Sequence, residues 1–147
     1  MKILVTGSNG LLGQKLTARL IQDPSIYLIA TARGKSTFPI QHGEFHSLDI
    51  TDQAAVNLVV AHTRPDVIIN TAAMTQVDQC ESDHDGCWKT NVTAVGNLIT
   101  AAVLYGVHLV HVSTDFIFDG TQELLDETAI AHPVNFYGES KLAGERL

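Results

Sequence analysis

The sequence has no apolar run that approaches the ~20 residues needed to cross a bilayer as a helix. Its only cysteines, Cys80 and Cys87, match no metal or redox spacing, so we expect two reduced thiols. None of its seven histidines recurs at the spacing of metal ligands. The first residues lead directly into an apolar strand, without the layout of a signal peptide, so we expect a cytoplasmic location. Together these absences argue against a membrane-spanning protein, a disulfide scaffold and a metalloprotein.

Basic residues are also scarce. Nine Lys and Arg stand against sixteen Asp and Glu, which gives a formal net charge of −7 at pH 7. A chain with this balance has no broad attraction to nucleic acid or to an anionic membrane, and we expect neither as a partner. Hydrophobic residues make up 45% of the chain and charged residues 17%, which excludes a disordered chain. The 147 residues suffice for one domain with a core.

What the sequence does contain begins in residues 1–13, MKILVTGSNGLLG. An apolar run at 3–5, typical of a buried parallel strand, is followed by Gly7, Gly10 and Gly13 and then by a helical pattern. Such glycines permit a tight turn, the approach of a pyrophosphate to the backbone, and close packing of the helix on the sheet. The spacing is G-x-x-G-x-x-G, not the common G-x-G-x-x-G fingerprint. We predict a nucleotide cofactor at this helix N-terminus, with a purely structural turn as the alternative.

Strand and helix patterns alternate along the whole chain, with short connections. This alternation predicts an α/β fold, a doubly wound parallel sheet of the Rossmann type with helices on both faces. Ligands in such sheets bind beyond the carboxyl ends of the strands, where polar residues cluster in this sequence. The predicted strands are 3–5, 26–32, 44–48, 66–70 and 108–113, and a loop is predicted at Gly34 to Gly43. The predicted helices are 11–21, one capped by Thr51-Asp52, one at 78–105 interrupted near Asp85-Gly86, and one that starts near Val134 or Asn135 and is still running at Leu147.

The end of the second strand bears on which cofactor binds. An NAD site usually places Asp or Glu here, to hold the ribose 2′-hydroxyl. The sequence instead reads Thr31-Ala32-Arg33-Gly34-Lys35, with no acid and two cations. Because the guanidinium of Arg33 suits a phosphate, NADP is favoured, with NAD as the alternative. A surface charge without a ligand is the other interpretation of Arg33.

A second candidate site is the segment Tyr137-Gly138-Glu139-Ser140-Lys141. Residues four apart on a helix share a face, so the phenol of Tyr137 lies beside the ammonium of Lys141. A nearby cation lowers the pKa of a phenol, as a general acid–base working near neutral pH requires. The hydroxyl of Thr114, after the fifth strand, is placed to hold a substrate oxygen. The alternative is an ordinary exposed Tyr–Lys pair.

Together, T-G-x-x-G-x-x-G and Y-x-x-x-K resemble the extended short-chain dehydrogenase/reductase superfamily. Within it the chain looks most like the dTDP-4-dehydrorhamnose reductase family, and the regulatory subunit of methionine adenosyltransferase is a close relative. The resemblance runs from end to end. It is carried by KILVTGSNGLLGQ at 2–14, PDVIINTAAMTQVDQCE at 65–81, HVSTDFIFDG at 111–120 and HPVNFYGESKLAGE at 132–145.

The resemblance implies NADPH-dependent reduction of the 4-keto group of a nucleotide-linked deoxysugar, dTDP-4-dehydrorhamnose to dTDP-L-rhamnose. Thr114, Tyr137 and Lys141 would form the catalytic set, and Thr114 and Asp115 would contact the sugar. Phe116 departs from the family, which commonly has tyrosine there, and so removes a hydroxyl from the substrate side. Asn91 would be a structural or catalytic asparagine. The implied cofactor-binding residues are Gly7, Asn9, Gly10, Leu11, Leu12, Gly13, Arg33, Asp49, Ile50, Ala72, Ala73, Met74, Thr75, Tyr137 and Lys141.

Members of this family are about twice as long and add a C-terminal substrate domain. We therefore expect residues 1–147 to form an NAD(P)-binding domain that ends within the Tyr137–Lys141 helix and lacks the sugar pocket. Alone it should bind NADPH but turn over the dTDP-sugar poorly. The sequence is also compatible with a homodimer. Two alternative functions are a non-catalytic NADP-binding regulatory subunit, and an epimerase or dehydratase. Epimerases and dehydratases of the superfamily retain NAD and usually carry an acid after the second strand.

Overall fold

The computed structural model describes residues 1–40 and 42–147. Its centre is a five-stranded sheet in the order β3-β2-β1-β4-β5, in which every neighbouring pair is parallel. This architecture confirms the predicted doubly wound α/β fold. The strands are β1 (Lys2–Thr6), β2 (Tyr27–Ala32), β3 (Gly43–Ser47), β4 (Val67–Asn70) and β5 (His108–His111). Strand β5 ends two residues earlier than predicted, and in the predicted 34–43 loop Gly43 belongs to β3 and residue 41 lies outside the described residues.

Two apolar layers cover the two faces of the sheet. Alternate residues of a strand point to opposite faces, so Leu4 packs in one layer and Ile3 and Val5 pack in the other. The first layer is closed by α2 (Gln53–Thr63) and α5 (Ala94–Tyr105), and the second by α1 (Leu11–Leu20). Burying each such side chain stabilises the fold by roughly 1.5–3 kcal/mol. The apolar runs of the sequence therefore account for the sheet at the centre.

Helix α1 packs on the sheet through Leu16 and Leu20, and Ile21 at its C-terminal end packs in the same layer. Leu12, in contrast, is 50% exposed. Leu12 lies in the first turn of α1, which is located at the carboxyl edge of the sheet and does not cover the face of the sheet. Helix α2 begins as predicted, because the Asp52 carboxylate accepts a hydrogen bond from the Ala55 N–H at 3.1 Å.

The long helical segment before β5 is interrupted, but not where the sequence indicated. It consists of α3 (Val77–Ser82), α4 (His84–Trp88), a π-helical turn (Lys89–Thr93) and α5. The interruption lies at Asp83, whose carboxylate accepts from the Gly86 N–H at 2.9 Å and so caps α4. The predicted interruption is therefore present, but it lies two residues before Asp85, and Gly86 is inside a helix. Gly106 ends α5 in the left-handed region, as predicted.

The last helix, α6 (Phe136–Glu145), begins where the sequence placed it. Its N-cap is Asn135, whose side chain accepts from the Gly138 N–H at 2.8 Å. The helix ends at Glu145, and Arg146, with ψ near 0°, is its C-cap. The expectation that this helix is still running at Leu147 was therefore wrong. A short 3-10 turn (Asp115–Ile117) follows β5. No helix in the described ranges is both long and apolar enough to traverse a bilayer.

Candidate functional site

A crevice crosses the carboxyl edge of the sheet above β1, where the strand order reverses between β2 and β4. It consists of two adjoining cavities of about 410 and 360 Å³, which share Gly10, Thr71, Ala72 and Ala73 as lining residues. The topology predicts a ligand at this switch point. Of the predicted site residues, the larger cavity is lined by Gly7, Asn9, Gly10, Arg33, Asp49, Ile50, Ala72 and Ala73. The smaller is lined by Gly10, Leu11, Leu12, Gly13, Ala72, Ala73, Thr75, Tyr137 and Lys141.

The glycine loop forms the floor of the crevice. Gly7 has φ +67°, and a Cβ there would lie 2.8 Å from the backbone of Ala72, so the turn out of β1 admits only glycine. At Gly13 a Cβ would lie 2.2 Å from the Gly7 carbonyl oxygen, which shows how closely α1 packs on the loop. The roles expected of the first and third glycines are therefore visible in the backbone itself.

The N-terminus of α1 opens into both cavities. Its N-cap is Gly10, no side chain in the described part of the chain caps it, and its first turn contains no acidic residue. The first intrahelical bond runs from Gln14 N–H to the Gly10 carbonyl, so the N–H groups of Leu11, Leu12 and Gly13 have no intrahelical acceptor. Uncapped donors at the positive end of a helix dipole favour an anion, and the site fits the phosphates of a dinucleotide.

The wall of the larger cavity is formed by the loops after β2 and β3. Asn9 ties the glycine loop to the first of these, because its amide donates to the Lys35 carbonyl at 2.9 Å and accepts from the Thr37 N–H at 3.1 Å. Arg33 is exposed on this wall. Asp49 also forms a turn, because its carboxylate accepts from the Thr51 N–H at 2.9 Å. This backbone hydrogen bond is the largest cause that lowers the pKa of Asp49, and Arg33 lowers it further.

Tyr137 and Lys141 lie on the buried face of α6 and line the smaller cavity together. They are 8% and 3% exposed, so an exposed Tyr–Lys pair is excluded. Lys141 Nζ donates to the Val112 carbonyl at 2.6 Å and lies 3.2 Å from His111 Nε2. Burial lowers the pKa of Lys141, opposed by the charge of Glu145. The ring of Phe116 packs edge-on against the ring of Tyr137, with 5.6 Å between the ring centres.

Three predicted residues do not line either cavity. Thr114 caps the 3-10 turn: its hydroxyl accepts from the Phe116 N–H at 3.3 Å and donates to the Asp115 carboxylate at 3.2 Å. It follows Ser113, which does line the smaller cavity. Thr114 and Asp115 therefore lie at the rim of the smaller cavity. Met74 packs against the cluster of Cys80, Cys87 and Tyr137, and both of its backbone groups bond to Asn91.

Asn91 has a positioning role in this structure. It is 1% exposed, and its amide accepts from the Met74 N–H at 2.8 Å and donates to the Met74 carbonyl at 3.0 Å. The same amide donates to Ser140 Oγ on α6 at 2.9 Å. Asn91 sits in the π-helical turn, a distortion that often marks a functional site. It thus joins the exit of β4 to the helix that bears Tyr137 and Lys141.

Sequence reasoning missed several residues that hold the smaller cavity in place: Asn70, His111, Val112, Ser113 and Ser140. Asn70 and His111 end β4 and β5, and their side chains meet at 3.0 Å. The sequence does show that a polar residue stands at the end of each of these apolar strands, and this pattern could have identified Asn70 and His111. It did not show which partner each residue would find, because the hydrogen-bonded residues are 29–49 positions apart in the chain.

Acid is expected to destabilise the fold through His111. Its pKa is lowered to about 4, mainly because burial opposes the charged ring and secondly because Lys141 is near. The unfolded chain therefore binds a proton that the folded chain does not, between about pH 6.5 and pH 4, and stability is lost as pH falls through that window. After allowance for partial exposure, we expect His111 to contribute about 1–2 kcal/mol to this loss.

The measurement is urea unfolding at the two ends of that window for the wild type, His111→Gln and His108→Gln. His108 is exposed on the same strand and serves as the control. His111→Gln should lose less stability in acid than the wild type and His108→Gln. Equal losses in all three proteins would contradict the assignment.

A family model described as "RmlD substrate binding domain" matches residues 1–147. The chain is 38% identical over 147 residues to a dTDP-4-dehydrorhamnose reductase of Aggregatibacter actinomycetemcomitans, covering 99% of this chain and 46% of that protein. It is 34% identical over 145 residues to methionine adenosyltransferase 2 subunit beta of Xenopus laevis, covering 99% and 42%. A Bacillus anthracis dTDP-4-dehydrorhamnose reductase crystallised in complex with NADP superposes with a TM-score of 0.78 at 32% identity, covering 99% of this chain and 48% of that one. The chain thus spans about half the length of the relatives it matches.

Proposed function

The chain belongs to the RmlD substrate binding domain family, and from that premise we propose that it is the NADP-binding, catalytic part of a dTDP-4-dehydrorhamnose reductase. The reaction is reduction of the 4-keto group of a dTDP-linked deoxysugar to the alcohol of dTDP-L-rhamnose. One observation carries the proposal: Tyr137 and Lys141 share a cavity with the uncapped N-terminus of α1. A phosphate-binding helix end and a candidate proton donor are thereby brought to one crevice.

The residues that line the two cavities would bind different parts of the cofactor. The N–H groups of Leu11, Leu12 and Gly13 hold the pyrophosphate, as the dipole of α1 favours. Arg33, Asp49 and Ile50 line the larger cavity, where Arg33 would hold the 2′-phosphate of the adenosine ribose and Asp49 and Ile50 would contact the adenine. The small side chains of Ala72 and Ala73 line both cavities and let the cofactor lie close to the sheet. Lys141 holds the hydroxyls of the nicotinamide ribose.

When bound, NADPH supplies the hydride that adds to the carbonyl carbon of the sugar. Tyr137 donates its phenolic proton to the carbonyl oxygen, a step that general acids accelerate by roughly 10²–10⁴-fold. The Thr114 hydroxyl orients the same oxygen from the rim, and Asp115 contacts the sugar. A charged Lys141 beside the phenol favours the phenolate that is left after proton transfer.

Arg33→Glu should weaken NADP binding about 10- to 150-fold, corresponding to loss of a charge-assisted hydrogen bond worth about 1.5–3 kcal/mol. NAD has no 2′-phosphate, so its affinity should change much less. The measurement is titration of each nucleotide into the chain. Arg19→Glu, an exposed substitution near the far end of α1, is the control. An equal loss for NADP and NAD would contradict the role of Arg33.

The reductase assignment is tested by single turnover, because we expect the 147-residue chain to be slow. Excess chain is mixed with NADPH deuterated at the transferred position and with dTDP-4-keto-6-deoxy-L-mannose. We expect deuterium at C4 of the sugar product, detected by mass spectrometry. Absence of deuterium transfer while NADPH binds would sink the proposal.

A regulatory subunit is the second candidate, since a methionine adenosyltransferase subunit beta is 34% identical. That candidate predicts NADP binding, no deuterium transfer, and co-purification with a synthetase. The common crevice of Tyr137 and Lys141 favours the enzyme, because a regulator does not need both side chains at the nicotinamide end.

A further inference from the structure

We propose that Asn70 and His111 hold Lys141 as an uncharged amine while no cofactor is bound, so that cofactor binding is coupled to proton uptake by Lys141. The inference rests on the proposed function in one respect, the assignment of Lys141 to the nicotinamide ribose. It adds two positioning residues, at the ends of β4 and β5, that act on the cofactor through the lysine.

His111 lies between two nitrogen-bearing side chains. Its Nδ1 is 3.0 Å from the amide nitrogen of Asn70, and its Nε2 is 3.2 Å from Lys141 Nζ. A neutral imidazole has one N–H donor and one acceptor nitrogen. The orientation of the Asn70 amide therefore decides which ring nitrogen bears the proton.

The amide of Asn70 is oriented by its other contacts. Its Oδ1 accepts from the Thr6 hydroxyl and from the Ala72 N–H, the latter at 3.2 Å. A hydroxyl can donate or accept, but a backbone N–H only donates. Turning the amide over would place two N–H donors against each other at Ala72. The amide nitrogen must therefore face His111, and Nδ1 is the acceptor.

The remaining ring proton is then on Nε2, and it points at Lys141 Nζ. Only an uncharged amine has the lone pair needed to accept it, and such an amine can still donate to the Val112 carbonyl at 2.6 Å. An ammonium at Lys141 has no lone pair, so its N–H donors would face the N–H donor of His111 Nε2. The other titratable groups near Lys141 are on α6: Tyr137, which lines the same cavity, and Glu145, which alone favours the charged form.

An imidazolium at His111 would also be disfavoured, because its additional Nδ1–H would face the amide N–H donor of Asn70. This agrees with the direction in which burial alone moves the pKa of His111 and of Lys141, since burial lowers both. On binding, the amine takes one proton from solvent and becomes the ammonium that donates to the ribose hydroxyls.

The test is calorimetric titration of NADPH into the chain in two buffers of different ionisation enthalpy, at several pH values above ~7, where the 2′-phosphate is fully ionised. The wild type should take up close to one proton per NADPH at the pH of maximum linkage, the signature of a group whose pKa rises on binding. Binding without net proton uptake overturns the proposal. If NADPH does not bind, the proposed function fails instead.

Nitrogen NMR of the cofactor-free chain decides the tautomer independently of binding. The His111 resonances should show a protonated Nε2 and an unprotonated Nδ1. The opposite tautomer overturns the proposal, whatever the calorimetry gives. This measurement needs no variant and no ligand, so it separates the failure of this inference from that of the cofactor assignment.

Asn70→Asp, made in the wild type and in His111→Phe, distinguishes a role through the ring from a general charge effect. The carboxylate accepts from Nδ1, which forces the proton onto Nδ1 and makes Nε2 an acceptor for an ammonium. Proton uptake should fall to near zero in Asn70→Asp and fall much less in the His111→Phe background. Equal falls in both backgrounds would show that the negative charge acts without the imidazole and overturn the proposal.

Discussion

Replacing Tyr137 by phenylalanine is expected to lower the single-turnover rate of deuterium transfer by about 10²–10⁴-fold, the contribution of a general acid. Phenylalanine retains the ring that packs with Cys80 and Cys87 and its edge-on contact with Phe116. Only the hydroxyl is lost. Affinity for NADPH should stay the same, because the uncapped end of α1 and the position of Lys141 do not depend on that hydroxyl.

The matched control is Tyr105→Phe. Tyr105 packs at the end of α5 beneath the guanidinium of Arg64, which lies 5.8 Å from its ring centre. Removing its hydroxyl should leave the rate unchanged. If Tyr137→Phe transferred deuterium as fast as Tyr105→Phe, the proton would have to come from another group, and the proposed mechanism would be wrong.

Gly13→Ala is expected to have the largest effect on the cofactor. The new Cβ would lie 2.2 Å from the Gly7 carbonyl oxygen and 2.7 Å from Ser8 Cα, both backbone atoms that cannot turn aside. Helix α1 must move away from the loop, so its free N–H groups no longer converge on one anion. We expect a loss of about 1–3 kcal/mol in the free energy of unfolding, typical of overpacking. NADPH affinity should fall about 100-fold or more, equivalent to roughly 2.7 kcal/mol.

Gly96→Ala is the same chemical change in α5, and its Cβ would find its nearest neighbour, in Leu147, at 3.9 Å. Here alanine should be neutral or should stabilise the helix by up to about 1 kcal/mol. Urea unfolding and NADPH titration of both variants give the comparison. Equal NADPH affinity in the two variants would show that α1 is not the phosphate-binding helix.

The structural features that depend on residues close together in the chain could be predicted from the sequence. The buried strands follow from apolar runs such as 3–5, and the glycine loop follows from Gly7 and Gly13, whose backbone geometry excludes a side chain. The cap of α6 at Asn135 is local in the same sense, since it joins residues three apart. The 78–105 segment was harder, because Asp83, not the more conspicuous Gly86, supplies the competing cap.

The sequence by itself determined the order of strands and helices, the anion-binding turn, and the face that Tyr137 shares with Lys141. All three depend on residues close together in the chain, whose hydrogen bonding and apolar spacing are local. Only the tertiary structure decided that the smaller cavity is braced by Asn91 and Ser140 and that Lys141 meets His111. The physical reason is that a polar side chain in an apolar element must find its partner across the fold, and the folded chain, not sequence spacing, brings the two together.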